Sequence, residues 1–288
     1  MHISVFLVGF TAILGKLISL AEGPLVWWRL LFTCLSLLLL PRIWREWKLL
    51  KRKTFWSLAG IGVLVAIHWL TFYGSIKYSN ASIALICFST ITIFTAFLEP
   101  LVFRKKIKRM EVFLGALVIV GIYMIFRVSG EYVTGIVLGI IAAFLAAVFT
   151  IFNKKVVGEA GPNMITFIEL FSGFVFLSLL MPWYLQVFPE ADFMPVKVDW
   201  IYLLVLSLVC TTLAYNLGLK ALKHLSAYIS NLALNLEPVY GIILAYLVLK
   251  EGKDLPLEFY FGTAIILLAV FGHVLSGRLM KRKRPQIL

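Results

Sequence analysis

The sequence predicts an all-α membrane protein of ten transmembrane helices, built as two inverted five-helix repeats with both termini in the cytoplasm. Three observations carry this expectation: long apolar stretches between short charged ones, a one-sided distribution of Lys and Arg, and a self-match between the two halves of the chain.

The apolar stretches come first. Apolar residues make up 61% of the 288 positions and charged residues only 14%, against about a quarter in an average soluble domain. The charges cluster, leaving apolar runs of roughly 17 to 25 residues, the length that crosses a bilayer core as a helix. Transmembrane barrel strands alternate apolar and polar residues, and these segments do not. The runs place spans at 3–20, 25–41, 55–78, 80–103, 111–127, 134–155, 163–183, 199–222, 226–249 and 258–277. The N-terminal run lacks the basic flank of a signal peptide and is read as a retained first span. The longest connection, Pro182 to Asp199, is too short for a soluble domain.

The basic residues orient the spans. Arg42, Arg45, Lys48, Lys51, Arg52 and Lys53 follow span 2, and Arg104, Lys105, Lys106, Lys108 and Arg109 follow span 4. Lys154, Lys155, Lys220, Lys223 and the tail residues Arg278, Lys281, Arg282, Lys283 and Arg284 fall on the same side. Only Lys77, Arg127, Lys197, Lys250 and Lys253 lie opposite, so the bias is twenty against five and puts both termini inside. The net charge of +13 therefore reads as an orientation signal and not as a nucleic-acid surface. Seven of the eight tryptophans (Trp27, Trp28, Trp44, Trp47, Trp56, Trp183 and Trp200) fall near span ends, where indoles prefer the headgroup layer; Trp69 alone is mid-span. Cys34, Cys87 and Cys210 lie inside spans without metal-ligand spacing and read as packing residues.

The self-match divides the chain. At an offset of 138, Gly23-Pro24 meets Gly161-Pro162 and Lys16 meets Lys154; at 146, Trp69 meets Tyr215, Lys77 meets Lys223, Ala81 meets Ala227 and Ile83 meets Ile229. The halves are then 1–130 and 131–288, each with five spans. Five is odd, so the second half inserts upside down, an arrangement found in carriers with a midplane site between the repeats.

Gly15-Lys16 followed by Pro24 and Arg29, Phe72-Tyr73-Gly74 before Ser79-Asn80-Ala81, and Leu236-Glu237-Pro238-Val239 before Lys250-Glu251-Gly252 carry a resemblance. With them the chain resembles EamA-type carriers of the drug/metabolite transporter superfamily over nearly its whole length. The resemblance implies a central cavity lined by helices 1, 3, 4, 6, 8 and 9, with helices 5 and 10 peripheral. It also implies export of small metabolites such as amino acids. The first repeat departs from the family pattern, with Thr92 where a proline often sits in helix 4 and Lys105 where an acid often ends it.

Ionisable groups inside spans are costly and mark candidate sites. His68 either hydrogen-bonds within the bundle or contacts substrate or proton, with Trp69 beside it as an aromatic wall. Helix 9 carries Tyr228, Asn231, Asn235 and Pro238 at steps of three or four, and helix 4 matches it with Ser82, Ser89 and Thr92. These stripes are either hydrogen-bonding cavity walls or interhelical contacts. The substrate-cavity candidates are thus His68, Trp69, Tyr73, Ser89, Thr92, Tyr215, Asn216, Asn231 and Asn235; the coupling and gating candidates are Glu237, Pro238, Lys16 and Arg29. Pro238 leaves the carbonyl of Leu234 without its helical donor. Glu237 either exchanges a coupling proton or pairs with Lys16, Arg29 or backbone donors, and Arg29 itself either serves the site or snorkels to headgroups. Glu99 is expected to pair with a nearby base, Glu169 has no evident partner, and Gly135, Gly139, Ala143 and Ala147 form a small-residue packing stripe.

No phosphate loop, metal-spaced His pair or nucleophile–base set is present, so neither catalysis nor a metal or other cofactor is expected beyond a coupling proton. The expected partners are a small-molecule substrate and the bilayer of the inner cell membrane, with no nucleic acid, in a monomer or homodimer. A lipid or lipid-sugar flippase and a non-transporting receptor or scaffold are the rival readings.

Overall fold

A backbone inside a bilayer must satisfy its own N–H and C=O groups, which a helix does within one segment. The computed structural model describes residues 1–104, 106–107, 109–128, 132–234, 236–250 and 257–282, and among them the chain is all helix and turn. Lys105, Lys108, the 130/131 boundary, Glu251-Gly252, Lys253, Lys283 and Arg284 lie outside the described residues.

The first apolar run forms α1 (His2–Val8) and α2 (Thr11–Leu17), interrupted at Gly9-Phe10. The second forms α3 (Glu22–Leu38), and the basic connection after it is α4 (Pro41–Trp47), bent 86° from α3. Pro41 has no N–H to continue α3 and suits the first turn of a new helix. Trp44 and Trp47 of α4 are exposed, as are Trp56 and Trp183. Then come α5 (Arg52–Tyr78), α6 (Ala81–Phe88), α7 (Ile91–Val102) and α8 (Arg109–Val128).

The second half runs through α9 (Val133–Val156), α10 (Pro162–Val187) and α11 (Lys197–Ser207). A π-helical stretch, Leu208–Leu213, joins α11 to α12 (Ala214–His224). After α13 (Ala227–Leu234) and α14 (Leu236–Leu244) a second π-helical stretch, Ala245–Leu249, precedes α15 (Leu257–Arg282). Six helical stretches of the described residues are long and apolar enough to cross a membrane: Arg52–Tyr78, Ala81–Val102, Val133–Val156, Pro162–Val187, Lys197–His224 and Ala227–Leu249. Counting α3 and α4 as one bent span makes seven.

The turns between α5 and α6 and between α12 and α13 are each capped by a polar side chain. Asn80 Oδ1 accepts the N–H of Ile83 at 2.8 Å, and Ser226 Oγ accepts that of Ile229 at 3.1 Å.

Packing sets the rest. α5 lies between α9 and α10, α10 also packs on α3, α1 packs on α12, and α8 pairs with α15. The small stripe of α9 allows close approach: a Cβ on Gly135 would lie 2.5 Å from Ser79 Cβ, and one on Gly139 would lie 2.7 Å from Cys87 Cβ. The crossing of α5 and α10 is tighter still, with Gly62 set against the Glu169 backbone.

Candidate functional site

A cavity of about 130 Å³ lies inside the bundle, with room for roughly five to ten waters. Its walls come from α1, α3, α5, α6, α7, α9, α12, α13 and α14 and the π-helical stretch, so both halves of the chain contribute. Most of the wall is apolar, with Trp69, Phe88, Phe149 and Leu219 prominent. Among the described residues α8 and α15 add nothing to it.

Arg29 is the cation of this cavity and is 4% exposed. Its Nε donates to Thr211 Oγ1 at 2.7 Å and its Nη1 donates to Tyr73 OH at 2.7 Å. Its guanidinium carbon stands 3.7 Å from the centre of the Trp69 ring, a cation–π stack. Thr211 sits in the π-helical stretch and donates to the Leu206 carbonyl five residues back at 2.7 Å. That irregular turn leaves the hydroxyl oxygen to accept from Arg29; π-turns are frequent at functional sites. The side chain thus points into the bundle, and the snorkelling alternative is not what the structure shows.

Glu237 is the facing acid, 2% exposed. Its Oε1 lies 3.4 Å from Thr11 Oγ1, and its Oε2 has no protein partner. Thr11 Oγ1 is also 2.7 Å from the Val8 carbonyl, so its single proton serves one acceptor at a time. The interruption between α1 and α2 brings this hydroxyl to Glu237. Neither Lys16 nor Arg29 pairs with Glu237: the ion pair found among the described residues is Arg42–Glu46, at 2.5 Å on the surface.

The remaining candidates divide. His68, Trp69, Tyr215 and Asn231 line the cavity with Arg29 and Glu237. His68 Nδ1 lies 2.9 Å from the Ala142 carbonyl and its ring packs near Phe88 and Phe149. Asn231 donates to Thr95 Oγ1 at 2.8 Å, leaving its Oδ1 without a protein partner. Tyr73 stands behind the wall and acts through Arg29. Ser89 donates to the Ile86 carbonyl at 2.6 Å, Thr92 Oγ1 lies 3.5 Å from the Asn231 carbonyl, and Asn216 donates to the Thr212 carbonyl at 2.7 Å; none of the three lines the cavity. Pro238 is in the first turn of α14. Lys16 donates to the Ser79 carbonyl at 3.4 Å, away from the cavity. Asn235 lies outside the described residues.

Two buried acids have partners that the sequence reading did not name. Glu169, fully buried, accepts from Tyr215 OH at 2.6 Å and from Asn153 Nδ2 at 3.3 Å, while its Oε1 has no protein partner. Asp199 accepts from both the N–H and the hydroxyl of Ser19, at 3.1 and 2.5 Å. Nearby, Lys77 donates to the Ile18 carbonyl at 2.5 Å, Tyr184 to Glu22 at 3.0 Å and Trp28 to the Phe193 carbonyl at 2.8 Å. These hydrogen bonds tie this end of the bundle together beside a second hollow of about 300 Å³ lined by Ser19, Glu22, Lys77 and Tyr184, whereas the first cavity reaches Met1 and Leu222 toward the other end. Glu99 meets the backbone N–H of Tyr228 at 2.7 Å.

Long apolar helices around a partly charged cavity define a multi-pass membrane protein of transport type. The family model of the EamA-like transporter family matches residues 1–127 and 133–275, and the chain belongs to that family. An uncharacterized transporter of Clostridium kluyveri is 24% identical over 258 residues, covering 83% of this chain and 81% of its own length. The uncharacterized transporter YetK of Bacillus subtilis is 28% identical over 225 residues, 74% of this chain and 64% of its own. A protein known from a crystal structure matches 97% of this chain and 96% of its own with a TM-score of 0.68 at 12% identity, a likeness of fold alone.

Proposed function

We propose that this chain is a secondary transporter of the inner cell membrane that exports small metabolites, amino acids foremost, by alternating access through the cavity between its halves. In this reading the ten apolar runs are ten spans in two inverted five-helix repeats, 1–130 and 131–288, with both termini in the cytoplasm. The observation that carries the proposal is that cavity, walled from both halves and holding Arg29 and Glu237 apart from one another.

The packing supports the repeat. Exchanging the halves turns the α5–α9 contact into α12–α1, and α5–α10 into the contact of α3 with α11 and the π-helical stretch; α3–α10 and α8–α15 map onto themselves. The caps at Asn80 and Ser226 are 146 residues apart, the sequence offset that also relates Trp69 to Tyr215. A coupling proton on Glu237 accords with a buried carboxylate that lacks an ion-pair partner. The functional unit is a monomer or homodimer.

Efflux of labelled amino acids from proteoliposomes tests this reading. His68→Ala, Trp69→Ala and Asn235→Ala are expected to slow efflux while leaving thermal midpoints near wild type. Wild-type rates in all three, at equal reconstitution, would return these residues to packing roles.

A further inference from the structure

We propose that Arg29, held by Trp69, Tyr73 and Thr211, is a built subsite for the carboxylate of the transported molecule, and that the ligand also carries a positive group for Glu237. The inference rests on the transport reading and adds the charge pattern of the substrate.

A guanidinium has five N–H donors in a planar fork. Two of Arg29's are engaged, one with Thr211 and one with Tyr73, while its face lies on Trp69. These contacts fix the plane of the fork and leave three N–H groups without a hydrogen-bond partner among the described residues. No carboxylate of the described residues comes within 4 Å of Arg29. A buried cation without a counter-ion is strongly disfavoured, and pairing with a bidentate carboxylate relieves it with two parallel hydrogen bonds. The group sits in the cavity wall, so an incoming ligand reaches it.

The rest of the cavity narrows the class. Glu237 lies in the same wall with Oε2 unpartnered and no ion pair to Arg29. A simple anion would satisfy Arg29 but leave Glu237 Oε2 without a donor. A zwitterion answers both groups, and the apolar surfaces of Phe88, Phe149 and Leu219 suit an apolar side chain between them. An α-amino acid with an aliphatic or aromatic side chain has this pattern.

The test uses the full chain, purified in detergent, with L-leucine, L-leucinamide (no carboxylate) and N-acetyl-L-leucine (no ammonium) as probes, and the other proteinogenic amino acids as a panel. The readout is the ligand concentration that raises the thermal midpoint. Wild type is expected to bind leucine about tenfold or more tightly than leucinamide, the scale of one hydrogen-bonded charge. Arg29→Gln should bring leucine down to the leucinamide value and leave leucinamide unchanged. Arg29→Lys, which keeps the charge but not the fork, should fall between. Should Arg29→Gln fail to fold, the wild-type comparison of the three probes decides alone. Equal wild-type binding of leucine and leucinamide, an Arg29→Gln loss shared equally by both, or no binding of any amino acid would overturn the subsite. Efflux of leucine from proteoliposomes separates the two claims. Efflux without carboxylate discrimination leaves the transport reading and removes the subsite; discrimination without efflux does the reverse.

Discussion

Two glycines on one helix should respond to the same substitution with opposite signs. Gly60 and Gly62 both lie in α5, but a Cβ on Gly60 meets nothing within 4 Å, whereas one on Gly62 would lie 2.0 Å from the carbonyl oxygen of Glu169 in α10. That contact is to backbone, so no side-chain rotation relieves it. Restoring an ordinary 3.4 Å contact requires α5 and α10 to part by about 1.4 Å, the difference between the two distances. The neighbours at the crossing, Leu58, Val65, Ala66 and Leu170, are buried and would lose packing with it. Overpacking of this kind costs about 1–3 kcal/mol or more. At about 2–4 °C per kcal/mol for a chain of this size, Gly62→Ala should lower the thermal midpoint by roughly 5 °C. Gly60→Ala gains about 0.8–1 kcal/mol of helix propensity without a clash and should raise it slightly. The assay is thermal unfolding of both variants in detergent beside wild type. Equal shifts, or a Gly62 variant at least as stable as wild type, would refute the α5–α10 packing.

Tyr215→Phe removes the hydroxyl that donates to Glu169 at 2.6 Å and should cost about 1–3 kcal/mol, read as a fall in thermal midpoint; an unchanged midpoint would mean the bond contributes nothing net. Asp199→Ala removes both bonds to Ser19 and should speed maleimide labelling of a cysteine at Leu20, which is 1% exposed, in a background with Cys34, Cys87 and Cys210 replaced by alanine. Unchanged labelling would mean that those bonds do not keep Leu20 covered. Single cysteines at Lys51 and Lys106 should react only with reagent that enters the cytoplasm, and one at Asp192 should react from outside. The reverse pattern would overturn the orientation.

Much of the helix layout was legible because it follows from local chemistry. Charged clusters end apolar runs, and the expected span at 55–78 appears as Arg52–Tyr78. Six of the site candidates meet in one cavity, and they were found through the cost of placing polar groups in an apolar helix. What escaped depends on contacts between distant segments. Glu169 and Tyr215 are 46 residues apart, and Ser19 and Asp199 are 180 apart. Periodicity says nothing about which polar groups on separate helices will face one another. The orientation of Arg29 was equally hidden, because its partner Thr211 is presented by a π-helical turn that composition does not announce. Gly62 looked like any helical glycine until α10 crossed it.

In the proposed cycle, substrate passes through the cavity by alternate exposure to the two faces of the membrane. Cys210, in the cavity wall, is a native probe of that exposure. With Cys34 and Cys87 replaced by alanine, a membrane-impermeant thiosulfonate should modify Cys210 from the cytoplasmic face in the conformation described, and from the outer face while a substrate gradient drives turnover. A bound amino acid should slow both reactions. Modification from one face only under all conditions, or rates indifferent to every amino acid, would contradict the account.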